Sequence, residues 1–84
     1  MKYEIRFSRQ AEKDIRKLTP KLKKKLMKIL RNQIVVDPTS GKALVGDLKG
    51  FYSVRLSYQD RVVYTIEDDK LVVYILRAKT HYGE

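Results

Sequence analysis

Residues 50–82, GFYSVRLSYQDRVVYTIEDDKLVVYILRAKTHY, contain three runs in which apolar and polar side chains alternate. This period of two is typical of β-strands with one covered face. Polar residues near positions 58–59 and 68–69 separate the runs, and strands joined by short turns usually pair antiparallel. The stretch therefore predicts a three-stranded antiparallel meander.

The turn positions also predict where the basic side chains of this stretch lie. A turn near 58–59 brings Arg55 within about two residues of Arg61. The next turn brings Arg61 opposite roughly Leu76 and Arg77. Three arginines are therefore expected at one end of the sheet. Whether they share a face stays open, because a one-residue slip or a bulge turns a side chain to the other face.

The N-terminal half predicts one strand followed by two helices. Residues 2–7 alternate as a strand, and Ser8 is a suitable N-cap for an amphipathic helix of about three turns. Thr19, followed by proline, begins a second helix, which the Asp-Pro pair at 37–38 ends. The apolar stripes of the two helices are Ala11, Ile15 and Leu18, and Leu22, Leu26, Ile29, Leu30 and Ile34.

The order of the elements defines the expected fold. Residues 42–49 mix apolar side chains with glycine and aspartate, as in a loop or short irregular strand over an edge of the sheet. The order is therefore β-α-α-β-β-β, in a single domain of residues 1–84. We expect an α+β fold, in which a two-helix hairpin covers one face of a mostly antiparallel, twisted sheet and the other face stays open.

The composition narrows the class of partner. The formal net charge is +9, from 19 Lys and Arg against 10 Asp and Glu, which favours nucleic acid or an acidic protein as a partner over none. The chain has no cysteine, no apolar run of about 18 residues and no signal-peptide pattern. We therefore expect no disulfide and no membrane span, and the composition is compatible with the cytoplasm.

The chemistry-bearing residues exclude some classes of enzyme. The sequence has no cluster of metal ligands, no glycine-rich phosphate loop and no Ser/His/Asp or Cys/His set, so we expect no metal and no other cofactor. The remaining residues suit metal-independent cleavage of RNA by the ribose 2′-oxygen. That reaction needs a base, an acid for the leaving 5′-oxygen, and cations around the phosphate.

Each of these roles has a candidate. His81 is the candidate acid, because imidazole titrates near neutral pH. Arg55, Arg61 and Arg77 are candidate phosphate ligands, because guanidinium groups bind phosphate oxygens in pairs. Tyr82 can stack on a base or share in proton transfer. The competing interpretation is a polar tail residue for His81 and ordinary exposed strand positions for the arginines.

Lysines supply a second set of RNA-binding candidates. The outer face of the second predicted helix is rich in lysine and includes Lys24 and Lys28, while Lys42 and Lys49 lie in the segment before the meander. A lysine-rich helix face is more often simply solvated than dedicated to RNA, and contact with phosphates is the alternative.

Three motifs carry a resemblance to a known family. They are DLKGFYSVRL at 47–56, DRVVY at 60–64 and VVYILR at 72–77. As a set they resemble the RelE/ParE toxin superfamily over nearly the whole chain. The ending RAKTH at 77–81 is similar to the RelE/YoeB/YafQ-like branch of mRNA interferases.

This resemblance implies both a fold and a function. It implies a compact sheet like that of RelE and the microbial RNases, in a type II toxin. Such a toxin is a ribosome-dependent endoribonuclease that cuts mRNA in the 30S A site, and a cognate antitoxin, expected to be acidic in its binding segment, neutralises it. By the same resemblance Arg61 and Arg77 stabilise the phosphate, His81 is the general acid, Arg55 is a basic position on the preceding strand, and Tyr82 is a C-terminal aromatic.

The sequence departs from the family pattern at the general base. Members with an acid/base pair carry glutamate or a second histidine in the segment 42–49, where this chain has Asp47 and lysines. Asp47, a lysine that has lost its proton, or ribosomal RNA can then serve as the base. Two other functions stay open: a ParE-like inhibitor of DNA gyrase, and a small basic RNA-binding module. His81 together with Arg61 and Arg77 favours the nuclease.

Overall fold

A computed structural model describes residues 2–58 and 60–78 of the chain. The strands are β1 (Glu4–Phe7), β2 (Lys42–Ala43), β3 (Phe51–Arg55), β4 (Arg61–Glu67) and β5 (Val72–Arg77). The helices are α1 (Arg9–Arg16) and α2 (Pro20–Ile29), and a π-helical turn, Leu30–Ile34, continues α2. Short 3-10 turns cover Pro38–Ser40, Gly46–Leu48 and Asp68–Lys70.

The five strands form one mixed sheet in the order β1-β5-β4-β3-β2. β1 is parallel to β5, and the other neighbours are antiparallel. The helices carry the chain from the β1 edge across one face of the sheet to the β2 edge. β1 and β5, the first and last strands, can therefore lie side by side. The predicted α+β fold, with a helical hairpin on one face of a mostly antiparallel sheet, is confirmed.

The helix caps follow the sequence prediction, but α1 is shorter than expected. The Ser8 hydroxyl accepts from the Ala11 amide at 3.0 Å, and the Thr19 hydroxyl from the Leu22 amide at 3.2 Å. α1 has eight residues, about two turns, instead of three. Beyond Arg16 the chain tightens, because the amides of Lys17 and Leu18 donate to carbonyl oxygens three residues back, and Thr19, which precedes a proline, is then extended at ψ 158°.

The apolar stripes of both helices pack on one face of the sheet. Alternate residues of the strands meet them, and the buried tyrosine at the centre is Tyr64. The opposite face, the outer face, carries the other alternate residues. They are Glu4, Arg6, Lys42, Phe51, Ser53, Arg55, Arg61, Val63, Thr65, Glu67, Val72 and Tyr74. Ser53 and Val63 are buried even here, so the expected open face is open only in part.

Two details of the meander differ from the prediction. Arg77 lies opposite Val63 and not opposite Arg61. The turn after Glu67 takes four residues, because Leu71 adopts a left-handed conformation after the 3-10 turn, and a bulge between Val63 and Tyr64 shifts the register further. In addition, residues 42–49 begin with a short edge strand, β2.

No helix in the part of the chain that the structure describes is long and apolar enough to cross a membrane.

Candidate functional site

The turn between β3 and β4 holds two arginines side by side. The amides of Leu56 and Ser57 donate to the carbonyl oxygen of Asp60 at 2.9 and 3.1 Å. The Ser57 hydroxyl donates to the Asp60 carboxylate at 3.0 Å, and Asp60 is only 8% exposed. This closed turn puts Arg55 directly opposite Arg61 in the antiparallel register.

Arg55 and Arg61 share the outer face, because directly opposed residues of a sheet lie on the same face. Within residues 2–58 and 60–78 neither of them forms an ion pair. Like charges in opposed positions destabilise a sheet. The arrangement therefore leaves two adjacent guanidinium groups available to an anion.

A third cation on this face comes from β2. Lys42 lies directly opposite Ser53, which is two residues before Arg55 on the same strand and the same face. Directly opposed positions on a sheet face are about 5 Å apart, and diagonal positions, such as those of Lys42 and Arg55, are about 7 to 8 Å apart. Lys42, Arg55 and Arg61 thus form one group, the cationic cluster.

Tyr64 fixes the loop that leads into Lys42. Its hydroxyl donates to the carbonyl oxygen of Pro38 at 2.6 Å, and its ring stacks on Tyr52 with centroids 5.7 Å apart. The side chain is fully buried, and burial raises the pKa of Tyr64 to about 12. Gly41 lies against the same hydroxyl so closely that an added Cβ would clash with it. The loop, and with it the start of β2, is therefore held in place from the core.

Arg77 lies at the same end of the sheet, but its guanidinium bonds to α1. Its Nε donates to one carboxylate oxygen of Asp14 at 2.8 Å and its Nη2 approaches the other at 3.4 Å. The Ala78 amide and the Gln10 side chain each donate to the same carboxylate at 3.1 Å. Burial raises the pKa of Asp14, but these bonds outweigh burial and lower it overall. Arg77 thus forms an ion pair with α1, which packs on the face of the sheet opposite the cationic cluster.

The loop between β2 and β3 lies at the other end of β3 from Arg55. Asp47 and Lys49 are exposed in this loop, which precedes Phe51. The four steps from Phe51 to Arg55 span about 13 Å at 3.3 Å per residue. The structure therefore does not bring Asp47 or Lys49 next to the two arginines.

The helix lysines lie in the other layer of the molecule. Lys24 and Lys28 are exposed on α2, whose apolar stripe covers the face of the sheet opposite the cationic cluster. They line an open hollow of about 630 Å³ together with Lys23, Lys25, Met27, Arg31 and Asn32. The structure thus has two separate basic surfaces. His81 and Tyr82 lie outside the described residues.

Comparison with known proteins identifies the family. A family model described as the ParE-like toxin of type II bacterial toxin-antitoxin systems matches residues 5–83. The chain belongs to this family. It is also 38% identical over 76 residues to the toxin YoeB of Streptomyces coelicolor, which covers 86% of this chain and 81% of that toxin.

Solved structures of RelE and YoeB toxins share the fold. The toxin-antitoxin complex RelBE2 of Mycobacterium tuberculosis matches with a TM-score of 0.85 and 30% identity, over 94% of this chain and 98% of that one. The YoeB dimer of Staphylococcus aureus matches with a TM-score of 0.80 and 29% identity, over 98% and 100%. Membership of the RelE/ParE superfamily, predicted from the three motifs, is confirmed.

Sequence reasoning did not single out Asp14 in this ParE-like toxin family member. It grouped Asp14 with the charged residues between the apolar positions of the first helix. Asp14 lies three residues after Ala11 and four before Leu18, both of which are buried. This spacing puts Asp14 on the buried side of α1 and was the available signal.

Proposed function

We propose that this protein is a ribosome-dependent mRNA endoribonuclease, the toxin of a type II pair, which cuts mRNA in the 30S A site and stops translation. The observation that carries the proposal is the cationic cluster. Three basic side chains share one sheet face without an ion pair among the described residues, at the end of the sheet to which the C-terminal residues are attached.

The chemistry assigned to the site is attack of the ribose 2′-oxygen on the adjacent phosphate. Arg55 and Arg61 stabilise the negative charge that grows on the phosphorane, because preorganised donors cost no reorganisation during the reaction. His81 protonates the leaving 5′-oxygen. Arg77 shares this end of the sheet and supports the site through its ion pair with Asp14.

The position of Lys42 supports a lysine as the general base over Asp47. Lys42 lies on the face of the two arginines, whereas Asp47 lies in the loop at the far end of β3. Ribosomal RNA is the other candidate, since the proposed reaction takes place in the decoding centre. Replacing Lys42 by methionine keeps its length and removes its nitrogen, and so tests its role directly.

Docking on the ribosome is assigned to the remaining basic residues and to Tyr82. Lys24 and Lys28 on α2 and Lys49 in the β2–β3 loop are exposed, as contacts to phosphates require. The net charge of +9 favours association with the ribosome, and binding should weaken as salt rises. Action on ribosomes implies a cytoplasmic protein.

The proposed protein partner is a cognate antitoxin. Several of the similar solved structures are toxin-antitoxin complexes, among them RelBE2 of Mycobacterium tuberculosis and the intact RelBE of Escherichia coli. We expect the segment that binds this chain to be acidic, because a basic surface is complemented by negative charge. A short acidic reading frame beside the gene is the expected source, and co-expression of its product should restore growth.

The experiment that tests the function compares cells expressing the wild type and His81→Ala. Cleavage of translated mRNA, mapped by primer extension and weakened at least tenfold by His81→Ala, is the expected result. Intact mRNA with trapped gyrase-DNA complexes would instead establish the second candidate, a ParE-like gyrase inhibitor; the matching family is described as ParE-like. RNA binding without growth arrest would establish a non-toxic RNA-binding module.

A further inference from the structure

Asp14 is a charged residue inside the protein. It is 5% exposed, and it lies on α1 facing the end of β5. Buried carboxylates are costly unless they are paired and hydrogen-bonded. Asp14 is both, since Arg77 donates to it at 2.8 Å and Gln10 at 3.1 Å.

The third hydrogen-bond donor to the Asp14 carboxylate is a backbone amide. The Ala78 amide donates to Asp14 Oδ2 at 3.1 Å, and Ala78 is itself fully buried. Ala78 is the first residue after β5. One carboxylate therefore accepts hydrogen bonds both from the last side chain of the strand and from the backbone amide just beyond it. Ser8 adds to the same anchorage, because its hydroxyl donates to the carbonyl oxygen of Leu76 at 2.9 Å.

We propose that Asp14 and Arg77 form a clamp that fixes where the chain leaves β5, and so positions His81 against a phosphate held by the cationic cluster. The proposal rests on the proposed function. His81 follows Ala78 by three residues, and three residues of chain span at most about 11 Å. Fixing Ala78 therefore limits where the imidazole reaches. Asp14 and Arg77 are positioning residues in this scheme.

The clamp gives Arg77 a role different from that of a phosphate ligand. A phosphate ligand acts without Asp14, so Arg77→Ala would lower cleavage far more than Asp14→Asn does. A clamp needs both partners. The two single variants and the double variant would then show similar losses, because the second substitution removes nothing that the first has left.

The test measures single-turnover cleavage of mRNA on programmed ribosomes for wild type, Asp14→Asn, Arg77→Ala and the double variant. We expect each to lower the maximal rate about 10- to 100-fold with less than about a threefold change in KM. The matched control is Glu4→Gln, which breaks the exposed Arg6–Glu4 ion pair on β1 and should change the rate less than twofold.

The decisive comparison repeats Asp14→Asn in the His81→Ala background. If Asp14 acts through His81, the substitution lowers the remaining rate less than twofold. A full further loss there, or a much larger effect of Arg77→Ala than of Asp14→Asn, overturns the clamp. Circular dichroism and thermal unfolding check that each variant is folded at the assay temperature.

Hydrogen exchange separates failure of the clamp from failure of the proposed function. If the wild type leaves mRNA intact, the function is wrong whatever Asp14 does. The clamp still predicts that Asp14→Ala, which removes the acceptor, accelerates exchange of the Ala78 amide at least tenfold while the Ile75 amide keeps its protection. Unchanged exchange at Ala78 overturns the clamp on its own.

Discussion

The two ends of the outer sheet face differ in whether their charged side chains form ion pairs. At the end where β4 finishes, Glu4 pairs with Arg6 at 3.0 Å and Glu67 with Lys70 at 3.4 Å. These four side chains line a hollow of about 400 Å³. At the end where β4 begins, no described carboxylate pairs with any member of the cationic cluster.

This difference supports the end that holds Arg55 and Arg61 as the proposed ligand site. Pairing acids with bases on a surface adds little stability, but leaving like charges opposed on a sheet costs some. Among the described strand pairs, Arg55 opposite Arg61 is the only opposed pair of like charges. Asp60, the carboxylate nearest to them in the chain, bonds to Ser57 within the turn and leaves the two arginines uncompensated. An anion bound there would neutralise the cluster.

The largest expected effect breaks the cluster itself. Under the proposed function, replacing Arg61 by alanine removes a preorganised donor to the phosphate, and we expect the cleavage rate to fall about 10²- to 10³-fold. The free energy of unfolding should stay the same or rise by up to about 0.5 kcal/mol, because a like-charge opposition is removed. Single-turnover cleavage and urea denaturation measure the two quantities.

Lys70→Ala is the control at the paired end. It also removes a positive charge from the region of the outer face, but from an ion pair that is exposed to solvent. We expect less than a threefold loss of cleavage. Equal losses for the two substitutions would show that only the net charge matters, and the contrast between the two ends would then have no functional meaning.

The next effect concerns the contribution of the Asp14–Arg77 ion pair to the stability of the protein. Asp14→Ala leaves the Arg77 guanidinium and the buried Ala78 amide without their acceptor, so we expect a loss of about 2 kcal/mol in the free energy of unfolding. Glu4→Ala, which breaks the exposed pair with Arg6, should cost less than about 0.5 kcal/mol. Urea denaturation at pH 7 measures the loss in the free energy of unfolding for both variants. Similar losses would show that the buried Asp14 contributes no more to stability than the exposed Glu4.

The same carboxylate predicts a dependence on acid. The folded protein lowers the pKa of Asp14, so its contribution to stability is complete above the unfolded pKa of about 3.9 and is lost as the pH falls through the folded pKa. The stability difference between wild type and Asp14→Asn should therefore shrink below pH 4. A difference that stays constant from pH 7 to pH 3 would mean that the charge of Asp14 contributes nothing.

The fold could be predicted from the sequence where local patterns decide it. The period of two in the meander, the Ser8 and Thr19 caps and the leucine stripes all gave the right elements, because each depends on neighbouring residues. The parallel pairing of β1 with β5 was not predicted, since it joins the two ends of the chain. The register of Arg77 was wrong because the left-handed Leu71 and a bulge leave no pattern in the sequence.

The site could be predicted only in part, for a related reason. The short turn after Arg55 made its neighbour Arg61 predictable. Lys42 joined the cluster through a two-residue edge strand, which is too short to have a period of its own. Asp14 lies on the buried side of its helix, but its partners at 77–78 are more than 60 residues away, so no local pattern reveals the ion pair.

A smaller effect tests how the core supports Lys42. Tyr64→Phe removes the bond to the Pro38 carbonyl and should cost about 1 kcal/mol at pH 7. Burial raises the pKa of Tyr64 from 10 to about 12, so the stability that depends on its proton is present below pH 10 and lost from about pH 10 to 12. The wild type should lose its advantage over Tyr64→Phe in that range, as thermal unfolding can measure. A constant advantage up to pH 12 would contradict a buried, protonated hydroxyl.

The smallest effect is expected on the other basic surface, at Lys24 of α2. Its ammonium is exposed on a mobile side chain, so Lys24→Ala should raise KM on ribosomes about two- to threefold and leave the maximal rate unchanged. The slope of log affinity against log salt should fall by about one, whereas Arg61→Ala lowers the maximal rate. A rate loss for Lys24→Ala as large as that for Arg61→Ala would mean that the helix face holds the reacting phosphate. The uncompensated charges of Arg55 and Arg61 would then have a role other than catalysis.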